Sequence, residues 1–132
     1  VTFNVKPSPT EELGLSRPSH EWNLAVLKEL KVPDEAIEVI GDKVSSTQEE
    51  VLATKKWAES AGLKSIAIVT ESFPSRRVDW AYRNKFEGSN IEVHIVALPP
   101  AGYSLDEWWL DEGGIISFQN EIIKYFYYLA RY

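Results

Sequence analysis

Apolar residues change period repeatedly along the chain, alternating between short strand-like runs and stretches with helical spacing, which predicts strands and helices in turn around a mostly parallel sheet. Val1, Phe3 and Val5 alternate with polar neighbours, and this first strand ends at Lys6-Pro7-Ser8-Pro9, where two prolines remove ladder donors. A helix is expected from about Ser19, with Trp22, Ala25, Val26 and Leu30 on one face and His20, Glu21, Lys28 and Glu29 mostly opposite. Val32-Pro33-Asp34 punctuates it. Ala36 to Ile40 then reads as a second strand, closed by Gly41-Asp42.

Ser46 and Glu49 have the spacing of a capping box, so a helix is expected to open there and run to Ala61, with Gly62 at its left-handed end. Ser65 to Thr70 is apolar at nearly every position, the pattern of an interior strand covered by helices on both faces. A third helix is expected over about Ser75 to Phe86, and a fourth strand over Ile91 to Leu98, stopped by Pro99-Pro100. Ser104 and Glu107 repeat the capping spacing before a short Trp-rich turn, which Gly113-Gly114 separates from a last helix. Along that helix Ile115, Phe118, Ile122, Phe126 and Leu129 form a stripe that Ile123 and Ala130 widen. The fold class that follows is α/β: a Rossmann-like, doubly wound, mostly parallel sheet in three α/β/α layers, with residues 1–132 as one domain.

Composition narrows the function classes. A net charge of −6, with basic residues scattered rather than striped, argues against nucleic acid as a partner. The absence of cysteine excludes disulfides and thiolate metal sites. No run reaches the roughly 18 apolar residues of a membrane span. Because the chain holds no methionine, even at position 1, residues upstream of Val1 are expected either to have been removed or to lie outside this sequence, and any targeting signal with them.

In an open parallel sheet, ligands bind beyond the carboxyl ends of the strands. That edge gathers Lys6 to Thr10, Asp42 to Thr47, Thr70 to Arg77 and Pro99 to Tyr103. Arg76 and Arg77 stand in a first helical turn, where the macrodipole disfavours cations and calls for an anion. Either a bound phosphate or carboxylate answers that call, or a salt bridge to Glu49, Glu50 or Glu71 does. Thr47 and Glu49 either orient a ligand or serve only as a cap. Ser72 and Ser75 lack a base, since His20 and His94 are the only histidines, so a Ser-His-acid triad is not expected, nor is a metal site. Tyr103, Trp108 and Trp109 suit either a pocket mouth or a core. Tyr125 to Tyr128 go round the helix, so some of these rings must face outward, as a contact surface or as partly buried residues.

Four stretches together resemble the YdcF-like family, the SanA/ElyC/YdcF group of bacterial proteins: LKVPDEAIEVI (30–40), VSSTQEEVLAT (44–54), IAIVTESFPSRR (66–77) and the ending from Trp108 to Tyr132. Thr47, Glu49 and Arg77 match the family's motifs, whereas Ser46 and Glu50 replace its asparagines and Pro74 replaces its histidine. Nothing matches the family's first strand and glycine-rich turn, which the resemblance would place centrally, between the strands near Val1 and Ser65. The two arginines at a helix start on this edge point to a small anionic ligand held by Thr47, Glu49, Thr70, Ser72, Arg76 and Arg77, with Arg77 leading, and the resemblance points the same way, to a phosphate- or nucleotide-bearing group or one like S-adenosylmethionine. It further implies a link to cell-envelope upkeep, an extracytoplasmic location with membrane association through an upstream anchor, and, as the alternative, a non-catalytic envelope-associated interaction domain. No catalytic residue, cofactor or oligomeric state follows from it.

Overall fold

The structure is a computed structural model that describes all 132 residues. Its chain divides into two compact units, Val1–Ala61 and Gly62–Tyr132. Both are mixed α/β, and each is built on one pair of parallel strands.

In the first unit, β1 (Thr2–Val5) pairs in parallel with β2 (Val39–Val44). Between them run α1 (Pro9–Glu12), α2 (Ser19–Glu29) and a 3₁₀ turn at Asp34–Ala36. The proline-rich stretch after β1 is more than a strand stop: Ser8 and Glu11 form a reciprocal capping box that starts α1, with Pro9 at its first position. The second strand also departs from expectation. It begins later, at Val39, and continues through Gly41-Asp42 instead of closing there.

Gly41 makes that continuation possible. Its φ of +81° lies in the left-handed region, and a Cβ would come within 2.7 Å of a Val44 methyl. The register slips at this point, from Phe3 opposite Ile40 to Val5 opposite Val44, so β2 carries extra residues that bulge out of the ladder. Ile40 and Val44 are buried, and α3 (Thr47–Ser60) packs on β2 through a face that includes Val51, Thr54 and Ala58. Gly62 follows with φ +63°, as its position after a helix end predicts.

α2 reverses the expected orientation. Trp22, Val26 and Leu30 are exposed, whereas His20, Leu24 and Leu27 are half-buried. Asn23 fixes this turn of the helix by donating to Thr2 Oγ1 at 2.9 Å, a link from α2 to β1. Because α2 has apolar residues on both sides, periodicity alone does not choose between them.

In the second unit, β3 (Ser65–Glu71) and β4 (Glu92–Leu98) pair in parallel, in register from Ser65 opposite Glu92 to Glu71 opposite Leu98. α4 (Ser75–Phe86) crosses between them and packs on both, burying Val78, Ala81, Tyr82 and Phe86. The expectation that Ser65 to Thr70 forms an interior strand covered on both faces does not hold for this sheet. β3 has one hydrogen-bonded neighbour, and burial alternates along it: Ile66 is buried and Ile68 half-buried, whereas Ala67 and Val69 are exposed. Successive strand residues point to opposite faces, so the sheet is covered on the α4 side and open on the other.

A 3₁₀ segment, Leu105–Leu110, and α5 (Glu112–Arg131) complete this unit. Ser104 caps the segment through the Asp106 amide, not Glu107, so the second expected capping box is absent. Gly113 and Gly114 lie inside the first turn of α5 and do not interrupt the chain before it. Asp111 caps that turn by accepting from Gly114 N at 3.0 Å. A Cβ on Gly114 would run into the Trp108 carbonyl oxygen, so glycine is what lets the Trp-rich segment fold back onto the helix start. No helix is long and apolar enough to cross a membrane.

Candidate functional site

The six residues singled out in the sequence fall on two helix starts. Thr47 and Glu49 belong to the first turn of α3 in the first unit, and Thr70, Ser72, Arg76 and Arg77 belong to the β3–α4 connection in the second.

At α3 the chain satisfies itself. Ser46 Oγ accepts from Glu49 N at 3.4 Å, the first half of the expected box. The other half is shifted by one residue: the Glu49 carboxylate accepts from Ser45 N at 2.6 Å and from Ser45 Oγ at 2.9 Å. The Ser45 backbone and hydroxyl bonds hold the Glu49 carboxyl below its ordinary value. Glu49 and Glu50 also place negative charge in the first turn, where the dipole favours it. Glu49 is thus a cap, and its carboxylate is committed to Ser45.

At α4 the arrangement is the opposite. Pro74 occupies the N-cap position and offers no side-chain acceptor, and the first turn carries Arg76 and Arg77 with no acidic residue. Ser75 N and Ser75 Oγ both donate to Ser72 O, the latter at 2.6 Å, and Ser72 Oγ donates to Leu98 O at 2.9 Å. These bonds tie the start of α4 to the end of β4. Both hydroxyl oxygens retain acceptor capacity, but their protons are committed.

Arg77 is buried and paired, though not with any of the three carboxylates proposed from sequence. Its Nε donates to Glu121 Oε2 at 2.7 Å and its Nη2 to Glu121 Oε1 at 3.1 Å, a bidentate pair between α4 and α5. The guanidinium also lies 5.2 Å from the centre of the Tyr128 ring. Glu121 accepts from Lys124 as well, at 2.9 Å. Burial raises the Glu121 carboxyl, yet hydrogen bonds from Arg77 and Lys124 and their charges outweigh it, so the group sits below its ordinary value. Glu121 was not legible as a partner, because the apolar stripe read along α5 ran through Ile115, Ile122 and Phe126 while the covered face holds Gly114, Phe118, Glu121, Tyr125 and Tyr128.

A cavity of about 320 Å³ opens at this helix start. Ser72, Phe73, Ser75, Arg76, Arg77 and Glu121 line it, with Phe118, Ile122 and Tyr125 of α5 completing the wall. Three of the six sequence-proposed residues, Ser72, Arg76 and Arg77, therefore meet in one pocket, whereas Thr70 lies outside its lining. Arg76 is exposed and makes no ion pair, so it is the pocket's uncommitted cation. Phe73 packs against Tyr103, Trp108 and Phe118, with ring centres 5.6–5.9 Å apart, which makes the aromatic cluster a wall behind the pocket. No family model, no curated protein and no solved structure matches this chain.

Proposed function

We propose that this domain binds a small anionic ligand in the pocket at the start of α4. The carrying observation is the pairing of an uncapped helix start with a free cation: α4 lacks a side-chain cap, and Arg76 stands beside it without a carboxylate partner. A helix N-terminus offers amides and a positive dipole end to an anion, and a guanidinium adds a bidentate fork. The cavity volume suits a group of phosphomonoester size carrying an apolar or aromatic portion against Phe73, Phe118 and Tyr125. Arg76 takes the leading role that the sequence had assigned to Arg77, whose charge Glu121 already balances.

The reading is one of binding and not of general acid–base turnover. Pro74 stands where a histidine would supply a group that titrates near neutrality, and no histidine lines the pocket. The βα order and the parallel pairing support a Rossmann-like, doubly wound, three-layer arrangement of the YdcF-like kind as the finer fold proposal. A nucleotide or S-adenosylmethionine-like ligand and a role at the cell envelope extend the same proposal through that resemblance. The alternative of a non-catalytic interaction domain draws support from the open apolar face of α5.

Calorimetric titration with inorganic phosphate, a phosphomonoester, a nucleotide and S-adenosylmethionine tests the proposal. Binding of a ligand from this set that Arg76→Ala abolishes is the expected result. No heat with any of the four, or equal binding by Arg76→Ala, would remove the site.

A further inference from the structure

Helix α5 has two apolar sides and a polar one that carries Ser117, Asn120, Lys124 and Arg131, and the chain covers only one of the apolar sides. Gly114, Phe118, Glu121, Tyr125 and Tyr128 form its buried or half-buried face, and the helix packs on α4 and the Leu105–Leu110 segment. At 100° per residue, Ile115, Ile116, Ile122, Ile123, Phe126 and Leu129 fall within an arc of about 140° on another side. All six are exposed, Ile123 by 67% and Phe126 by 65%. A continuous apolar stripe of this size on a monomer marks a contact surface.

We propose that the stripe is a homodimer interface in which α5 packs antiparallel against α5 of a second copy about a two-fold axis near Ile122 and Ile123. Such an axis brings the stripe onto itself: Ile122 meets Ile123, Ile116 meets Leu129, and Ile115 meets Ala130 of the other copy. Gln119 and Glu112 are the polar residues inside the arc: Gln119 falls opposite Phe126, where its amide can turn to the rim, and Glu112 lies at the end of the helix, one turn before Ile115 and Ile116. Removing the six side chains from water in both copies takes out on the order of 1,200 Å², the lower bound for a standard stable interface.

Charge placement selects the antiparallel orientation. Glu112 lies in the first turn of α5 and Arg131 in the last. Antiparallel pairing sets Glu112 of each copy against the end that carries Arg131 in the other, twice per dimer, and opposes the helix dipoles. Parallel pairing would set like charges together. A membrane surface is a poorer occupant, because a chain of net charge −6 is repelled by anionic lipid.

Sedimentation equilibrium over the micromolar range is expected to give twice the chain mass of 15.0 kDa. Ile123→Asp is expected to return the mass to 15.0 kDa with unchanged far-ultraviolet circular dichroism, since Ile123 is largely exposed in its own chain. Glu112→Arg should weaken the dimer several-fold, and Glu112→Arg combined with Arg131→Glu should restore it, which a purely apolar association would not do. A wild-type chain that stays monomeric to about 100 µM, or an Ile123→Asp protein that still dimerises, overturns the proposal. A monomeric wild type that floats with phosphatidylcholine vesicles also overturns it, and assigns the stripe to lipid.

Discussion

The starts of α3 and α4 are built from the same supersecondary step, a strand running into a helix, and they meet the helix dipole in opposite ways. α3 follows β2 with Ser45, Ser46, Glu49 and Glu50, so acceptors and negative charge come from within five or six residues of chain. α4 follows β3 with Pro74, Arg76 and Arg77, so the first turn has neither a side-chain cap nor an acidic residue, and the local acceptor is the Ser72 carbonyl. A compensating carboxylate arrives from α5, more than forty residues later, and of the two arginines it engages Arg77 and not Arg76. A helix start that closes on itself is structural, and one left with an unpaired cation beside a cavity has room for a ligand. The difference is set by which side chains occupy the first turn, since the backbone step is shared.

The largest effect that would break this comparison lies at Glu121. Glu121→Ala takes the bidentate carboxylate away from the buried Arg77 guanidinium, and should cost about 3–5 kcal/mol in urea unfolding. If the loss is well under 1 kcal/mol, Arg77 is not held as described. The same carboxylate sets an acid limit. Its folded-state value is depressed, so its contribution is fully present above the ordinary carboxyl value of 4.5 and is lost as pH falls through the lower folded value. Acid unfolding monitored by fluorescence should therefore show a step below about pH 4.5 that Glu121→Gln removes.

An intermediate effect is expected at α3. Ser46→Ala deletes the one side-chain acceptor of the Glu49 amide and should cost about 1 kcal/mol, with no change in ligand titration. An altered titration would bring the α3 start into the binding site and dissolve the contrast. The smallest effect is the sharpest. Arg76→Glu replaces a cation that the α4 dipole disfavours with an anion it favours, and should raise stability by about 0.3–1 kcal/mol while abolishing phosphate binding. Stability and binding moving in opposite directions is the signature of a residue kept for function.

Much of the element order was readable because its punctuation is local. Pro99-Pro100 stops β4, Ser46 opens α3, and Gly62 follows its end, each by backbone chemistry visible within a few residues. Faces were not readable where a helix is apolar on more than one side. In α2 the choice between Trp22/Val26 and Leu24/Leu27 rests on Asn23 reaching Thr2, a contact 21 residues distant in sequence. In α5 it rests on Arg77 finding Glu121. The pocket was legible in part for the same reason: Ser72, Arg76 and Arg77 are local to one turn, whereas its far wall is contributed by α5. The strand Ser65–Thr70 shows a third limit, because a β-branched apolar run states what it can bury and not how many neighbours it finds.

Phe73 gives the pocket a built-in optical signal. It sits in the β3–α4 turn, lines the cavity, and lies edge-on to Trp108 at 5.6 Å, while Trp108 lies 4.2 Å from Phe118 and 6.0 Å from Trp109. Coupled indole and benzene transitions at these separations depend steeply on mutual angle. Any ligand that shifts the turn to reach Arg76 must rotate Phe73 against that cluster, so near-ultraviolet dichroism of the unlabelled protein would record occupancy of the site directly, with Trp108→Phe as the variant that silences the readout.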